Sequence, residues 1–350
     1  MRASSALVES YARNRFEEQA INTMAQDVLK GLTADQKYIP SKYFYDARGS
    51  KLFEEICGLP EYYPTRTELR LLSNHAQDIV RGLRQGDLVE LGAGANWKIR
   101  TLLEALGPWR RADVRYVPVD VCGPALLESA AQLTAVYPEV RVNGIVADFT
   151  RELHRLKSDR PKVVLFFGST IGNLDEGEAS SFLQDVAAML NPGDRFILGL
   201  DMVKPVEILE AAYNDSRNVT AEFNKNILLV INRGLQATFN PAGFDHSGFF
   251  NEKQERVEMY LRARRDIYVD VKALNISVAL KNGETILTEI CRKFSRDGAE
   301  KMIRDAGMEV SRWYSDPKGW FSLLEAVLDQ PKPRESVNVH RVGDGIDLAT

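Results

Sequence analysis

The stretch Asp87-Leu-Val-Glu90-Leu-Gly92-Ala-Gly94 joins an apolar run to an acid and two closely spaced glycines, just ahead of a helical pattern that opens near Ile99. Glycines carry no Cβ, so a ligand can approach the backbone, and the free N–H groups at a helix start favour polar or anionic groups. Tyr116-Val-Pro-Val-Asp120 places a second acid at an apparent strand end, where a carboxylate can accept both ribose hydroxyls of an adenine nucleoside. At a third strand end, Asp148-Phe149 offers an acid and a ring suited to the amine and the face of adenine. Three successive strand ends therefore carry what a nucleotide-like cofactor needs.

NAD and S-adenosylmethionine both fit this pattern. The dinucleotide fingerprint needs a third small residue for close helix packing, and Trp97 stands at that place. Glu90-Leu-Gly-Ala-Gly94 instead resembles the E/D-x-G-x-G turn of Rossmann-like methyltransferases, which implies S-adenosylmethionine.

The elements that must position these groups read as strand-helix alternation from Asp87 to Asp201. A third strand is expected over Val142–Val146, a fourth over Lys162–Phe167 and a fifth over Arg195–Gly199. Ligands bind beyond the carboxyl ends of strands in an open parallel sheet, so Gly168-Ser-Thr-Ile-Gly172-Asn173 is expected to face the same crevice as Gly92. Past Asp201 the alternation breaks. Residues 203–226 read as helical, and the segments 256–262, 266–271 and 274–280 alternate at period two, as half-buried antiparallel strands do. Asn282-Gly283 is a hairpin signal ahead of Ile286–Phe294. Amphipathic helices are expected over Leu7–Arg15 and Phe16–Leu32, another through Cys57, and one capped at Thr65 or Thr67.

With 350 residues, 44% hydrophobic and 27% charged, the chain reads as an ordinary globular protein with a large core. Its 45 basic and 49 acidic residues are mixed without long single-sign blocks, which argues against nucleic-acid or membrane-surface partners. Cys57, Cys122 and Cys291 lie far apart with no C-x-x-C pair, and His75, His154, His246 and His340 share no metal-ligand spacing. No disulfide framework or metal is expected, and each histidine reads as solvated or locally bonded. The absence of an apolar leader or an eighteen-residue apolar run points to a cytoplasmic protein.

Further motifs carry a resemblance. Lys42-Tyr-Phe-Tyr45-Asp-Ala-Arg-Gly-Ser50, Leu59-Pro-Glu-Tyr62-Tyr-Pro-Thr-Arg-Thr-Glu68, Gly168-Ser-Thr-Ile-Gly-Asn173-Leu and Leu287-Thr-Glu289-Ile-Cys291-Arg-Lys-Phe294 look like those of the histidine Nα-methyltransferases of ergothioneine biosynthesis, over roughly residues 39–328. The superfamily also includes fungal tryptophan-derivative N-methyltransferases. The resemblance implies that Gly92, Lys98, Asp120, Asp148 and Phe149 contact S-adenosylmethionine. It implies that Tyr45, Tyr62, Gly168, Asn173 and Tyr213 surround the amino and carboxylate groups of the substrate, with Tyr45, Asn173 and Tyr213 catalytic. Met259, Glu289 and Cys291 would shape the imidazole pocket, Cys291 standing where the family usually has serine.

Glu289 and Cys291 are two apart on an apparent strand, so they share a face and can meet one ring. A carboxylate there accepts the imidazole N–H; a surface pair of Glu289 with Lys293 is the plain structural reading. Met259 is equally an inward core residue. The expected architecture is an α/β, Rossmann-like S-adenosylmethionine-dependent methyltransferase sheet flanked by helices, with a smaller α+β substrate-binding domain. Its boundaries are 1–60 for N-terminal helices joining the substrate domain, 61–202 for the cofactor domain, 203–285 for the inserted substrate domain, 286–330 for the return to the sheet, and 331–350 for a polar tail. The expected activity is repeated methylation of the histidine α-amine by a monomer. Two other readings stay open: methylation of tryptophan or another aromatic amino acid or amine, and a cofactor-binding sensor or partner subunit without turnover.

Overall fold

The structure, a computed structural model, describes residues 21–329. The expected helix Leu7–Arg15, the start of Phe16–Leu32 and the tail 331–350 lie outside those residues. Among the described residues three α-helices precede the first strand: α1 (21–32), α2 (Ala47–Cys57) and α3 (Tyr63–Ile79). The Asp46 carboxylate accepts the Gly49 N–H at 2.7 Å and so starts α2. Helix α3 begins earlier than expected, with Tyr62 as its N-cap rather than Thr65 or Thr67. Pro64 occupies the first turn, where no N–H is required, and the Thr67 hydroxyl donates back to the Tyr63 carbonyl at 2.8 Å.

The chain then runs β1 (Asp87–Leu91), α4 (Trp97–Asp113), β2 (Arg115–Asp120), α5 (Gly123–Val136), β3 (Arg141–Val142), β4 (Ile145–Val146), β5 (Lys162–Phe166), α6 (Glu176–Met189) and β6 (Arg195–Asp201). Strands β1, β5 and β6 are buried at every position, as parallel strands covered on both faces must be. The single third strand expected over Val142–Val146 is two short pieces, both parallel to β2. They separate at Asn143-Gly144, where the Asn143 N–H turns to the Tyr116 carbonyl.

After β6 come α7 (Val206–Tyr213) and α8 (Val219–Leu235). They are separate helices because the Asp215 carboxylate accepts the N–H groups of Val219 and Thr220, at 2.9 and 2.7 Å, and restarts the helix there. Five strands follow: β7 (Phe244–Asn251), β8 (Arg256–Ala263), β9 (Ile267–Val271), β10 (Ile276–Leu280) and β11 (Thr285–Arg292). Helix α9 (Arg296–Asp305) leads to β12 (Met308–Ser315) and β13 (Phe321–Leu328).

The large sheet has the order β12-β13-β6-β5-β1-β2-β3, with β4 also on β2. Its last hairpin enters antiparallel to β6. This is a Rossmann-like α/β sheet. Smaller sheets pair β11-β8-β7 and β10-β9. Asn282-Gly283 is a turn but not a hairpin, since β10 pairs with β9 and β11 with β8. Bonds from Gly283 N–H to the Ala263 carbonyl and from Ala263 N–H to the Glu284 carbonyl tie that turn to the end of β8 and send β11 along it. The boundary at 286 moves accordingly: β11 belongs to the small sheet, and the large sheet is rejoined through α9 and β12.

One hydrophobic core joins Val28, Leu32, Phe44 and Ile56 to Phe223, Ile231, Val257 and Ile286, so the helices ahead of the large sheet pack on the segment inserted after β6. Two other cores cover the faces of the large sheet.

Candidate active site

At the carboxyl end of β1, Gly92 has φ +68°, a left-handed value that penalises any residue with a Cβ. The N–H groups of Gly92 and Ala93 donate to the Val119 carbonyl at 2.9 and 3.2 Å, folding the turn onto the end of β2 beside Asp120. Asp120 accepts the Cys122 N–H at 2.8 Å through one oxygen, and burial pushes its carboxyl up to about 6. The Phe149 ring lies over the same turn: a Cβ at Gly92 would sit 3.5 Å from its Cε1. Asp148 beside it holds the Thr150 N–H with one oxygen and lies 3.5 Å from the Lys42 ammonium with the other. Glu90, by contrast, faces inward and accepts the Tyr116 hydroxyl at 2.5 Å. Four of the five expected cofactor residues, Gly92, Asp120, Asp148 and Phe149, are thus gathered at the ends of β1, β2 and β4.

The fifth, Lys98, points toward the loop after β5, where its ammonium lies 2.7 Å from the fully buried Glu68 carboxylate. Glu68 also accepts the Gly168 N–H with both oxygens, at 2.8 and 3.0 Å. This one carboxylate from α3 therefore fixes two site candidates. Nothing in the spacing around Glu68 distinguishes it in the sequence, because its partners are 30 and 100 residues away. Further along the loop, a Cβ at Gly172 would meet the Arg292 carbonyl at 2.8 Å, so only glycine lets the loop lie on β11. That contact brings the Asn173 amide to the Glu289 carboxylate, donating at 3.1 Å.

Glu289 stands opposite Met259 in the β11–β8 register, next to a bulge, with Cys291 two residues on and also facing inward. The Thr288 hydroxyl at the bulge donates to the Asn224 side chain at 2.6 Å. The Asn224 amide faces His246 Nδ1 at 2.8 Å, and His246 Nε2 bonds the Tyr213 carbonyl at 2.8 Å. The tautomer is set by these partners: Nδ1 accepts and Nε2 donates. His246 is a locally bonded ring, as the sequence indicated, and it anchors the end of α7. Tyr45 and Tyr62 enter from the N-terminal side, edge-on to Phe53 at 5.6 and 6.1 Å between ring centres.

These groups are electrostatically one site. Burial pushes the Glu289 carboxyl up to about 7 against the opposing pull of Lys293 and the Asn173 amide. Burial also holds the hydroxyls of Tyr45, Tyr62 and Tyr213 well above the usual phenol value, and the carboxyls and thiols around them add to it: Glu289 and Asp120 act on Tyr45, Cys57 on Tyr45 and Tyr62, and Cys291 on all three. All three are neutral phenols at physiological pH. The surface pair of Glu289 with Lys293 does not form; Lys293 is buried and pairs with Asp201 at 2.8 Å. Sequence reasoning missed both of these residues, although Asp201 ends a sheet strand, the position at which ligand-facing groups are expected. Among the described residues no group of His, Cys, Asp and Glu is arranged to hold a metal ion, and no helix is long and apolar enough to cross a membrane.

The arrangement gathers neutral hydroxyls, an amide and one titratable carboxyl near the turn that ends β1 and the acid that ends β2. A family model described as histidine-specific, S-adenosylmethionine-dependent methyltransferase matches residues 24–327. The chain is 41% identical over 320 residues to the histidine N-alpha-methyltransferase of Mycolicibacterium smegmatis, covering 91% of this chain and 99% of that protein. It is 39% identical over 314 residues to the protein of the same name from Mycobacterium tuberculosis, covering 90% and 98%. Similarity also extends to the 4-dimethylallyltryptophan N-methyltransferase of Claviceps purpurea, at 28% over 207 residues, with 55% of this chain and 60% of that protein covered.

Proposed function

The chain belongs to the histidine-specific, S-adenosylmethionine-dependent methyltransferases, and from that premise we propose that it methylates the α-amino nitrogen of L-histidine three times, giving hercynine, the first step of ergothioneine biosynthesis. The observation that supports the substrate is Glu289: a carboxyl pushed up to about 7, held by Asn173 and two residues from Cys291, a group able to accept an imidazole N–H. Tryptophan presents its ring N–H from a larger ring system.

S-adenosylmethionine supplies a methyl group already activated on a sulfonium. The protein's own task is to hold an uncharged amine in line with that methyl at near-attack distance. Gly92, Asp120, Asp148 and Phe149 are the residues that would hold the cofactor's adenosine, with Lys98 toward its amino-acid end. Asp120 fits this part because its carboxylate ends β2 beside the Gly92 turn, where an acceptor can take the hydroxyls of a diol. Asn173, Gly168 and Tyr213 hold the α-amino and carboxylate groups of histidine. An ammonium has no lone pair, so a proton leaves before each transfer. Tyr45 stays a neutral phenol, so its oxygen accepts a hydrogen bond from the nitrogen while water takes the proton. As methyl groups accumulate, the rings of Tyr45 and Tyr62 stabilise the cation.

The test is mass spectrometry of the purified protein incubated with S-adenosylmethionine, the twenty amino acids and tryptamine. A gain of three methyl groups on histidine alone is the expected result. Methyl gain on tryptophan or tryptamine would reassign the substrate, and no gain on any of them, with cofactor binding confirmed separately, would favour a protein without turnover.

A further inference from the structure

Lys293 follows β11 directly, and its side chain has no exposed surface. Three atoms surround its ammonium: Asp201 Oδ2 at 2.8 Å, the Tyr213 hydroxyl at 3.0 Å and Cys291 Sγ at 3.2 Å. An ammonium only donates, so each of the three accepts from it. The Tyr213 oxygen therefore gives a lone pair to Lys293, and its own proton is directed away from the ammonium, to the side of Cys291. Accepting from a cation also makes that hydroxyl a stronger donor. A strong donor backed by a positive charge recognises an anion.

The surrounding charges point the same way. Asp201 also accepts from the buried Lys204 ammonium and from the Tyr63 hydroxyl at 2.8 Å, while Tyr63 accepts from Lys204 at 2.8 Å. Two ammonium groups share one carboxylate: burial lowers the Lys204 value, while Asp201 keeps Lys293 firmly in its charged form. The Lys293 ammonium is therefore a fixed cation behind the Tyr213 hydroxyl. Glu289, whose carboxyl is pulled down by Lys293 but pushed up to about 7 by burial, is only partly ionised near pH 7. An anionic ligand group beside Tyr213 would meet a hydroxyl donor with that cation behind it.

We propose that Lys293 is a positioning residue that turns the Tyr213 hydroxyl into a donor and makes the site select a free α-carboxylate. The inference rests on the histidine reading given above. It makes the carboxylate, and not the imidazole alone, a condition of recognition.

The experiment compares kcat/KM for histidine and for histidine amide, whose carboxylate is replaced by a neutral amide, in the wild type, Lys293→Met and Tyr213→Phe, with S-adenosylmethionine binding measured in each. Wild type is expected to prefer histidine by about 100-fold, as for a desolvated charge pair. Lys293→Met is expected to lose about 30-fold on histidine, mainly through KM, and only a few-fold on the amide, so the preference collapses. The variant leaves Asp201 with Lys204 and Tyr63, so no acid is stranded. An equal loss on both substrates with cofactor binding intact would mean that Lys293 only supports the fold, and would overturn the inference. So would a wild type indifferent to the carboxylate. If Lys293→Met fails to bind S-adenosylmethionine, Lys293→Gln decides: a reduced preference with the cofactor bound supports the inference, and an unchanged one, or an unchanged preference in Tyr213→Phe, overturns it. A wild type that methylates neither compound refutes the histidine reading, and the inference with it.

Discussion

Asp120 shows how the chemistry of a single residue becomes measurable. Its carboxyl lies near 6 because burial disfavours the charged form. Ribose hydroxyls donate to the charged form, so protonation removes the acceptor. The dissociation constant for S-adenosylmethionine is expected to rise as pH falls through about 6, approaching tenfold per pH unit below it. Asp120→Asn should bind more weakly with a flat pH profile, and calorimetric titration across pH 5 to 8 checks both. Tyr45 gives a second case. Tyr45→Phe keeps the ring against Phe53 and Phe223 but removes the oxygen, so each methylation step should slow by roughly 10- to 100-fold. Wild-type rates at all three steps in single-turnover mass spectrometry would remove Tyr45 from the chemistry.

Among the elements, the contact between the loop after β5 and strand β11 decides whether the two halves of the site meet. Gly172 lies so close to the Arg292 carbonyl that Gly172→Ala would force backbone apart, with no flexible side chain to give way. Asn173 would then move off Glu289. The expected outcome is a loss of about 100-fold in kcat/KM for histidine, the scale of a 1 Å misplacement, with S-adenosylmethionine affinity little changed. Equal losses in cofactor binding would show that the loop serves both ligands alike. The core under the N-terminal segment makes a matching prediction for stability. Phe44 is fully buried with its ring 4.5 Å from that of Phe223, so Phe44→Ala should cost about 3–5 kcal/mol by denaturant unfolding.

The whole molecule bears a cost for its site. The folded protein raises the Glu289 carboxyl to about 7 from an ordinary value of 4.5, so the folded state holds that proton more tightly than the unfolded chain. Its contribution is fully present below about 4.5 and is lost as pH rises through about 7. Glu289→Gln should therefore stabilise the ligand-free protein at pH 8 by roughly 1–3 kcal/mol and have little effect at pH 4.5, while impairing turnover of histidine. Thermal unfolding of both proteins across pH tests this. His246 adds a trend of its own, since burial lowers its value from 6.5 and protonation would break its bond from Asn224. Stability should fall as pH drops below about 6.5, and His246→Asn should remove part of that fall.

The sequence by itself determined the sheet and its cradle. Unbroken apolar strands, the Gly92 turn and the acids at strand ends depend on local periodicity and on neighbours within a few residues, and those forces are written along the chain. It also singled out, through motifs, the aromatic and polar residues proposed for the substrate side. The strand partners of β10 and β11 were decided by tertiary structure, because two hydrogen bonds between residues 263 and 283–284 outweighed a strong local hairpin signal. The same holds for Lys293, read from spacing as a surface partner of Glu289, and for Glu68, whose motif gave no sign of its partners Lys98 and Gly168. A buried charge is placed by whatever opposite charge the fold brings to it, and Asp201 lies 92 residues from Lys293 along the chain. Periodicity reports which face of an element is buried; only three-dimensional packing decides what that face meets.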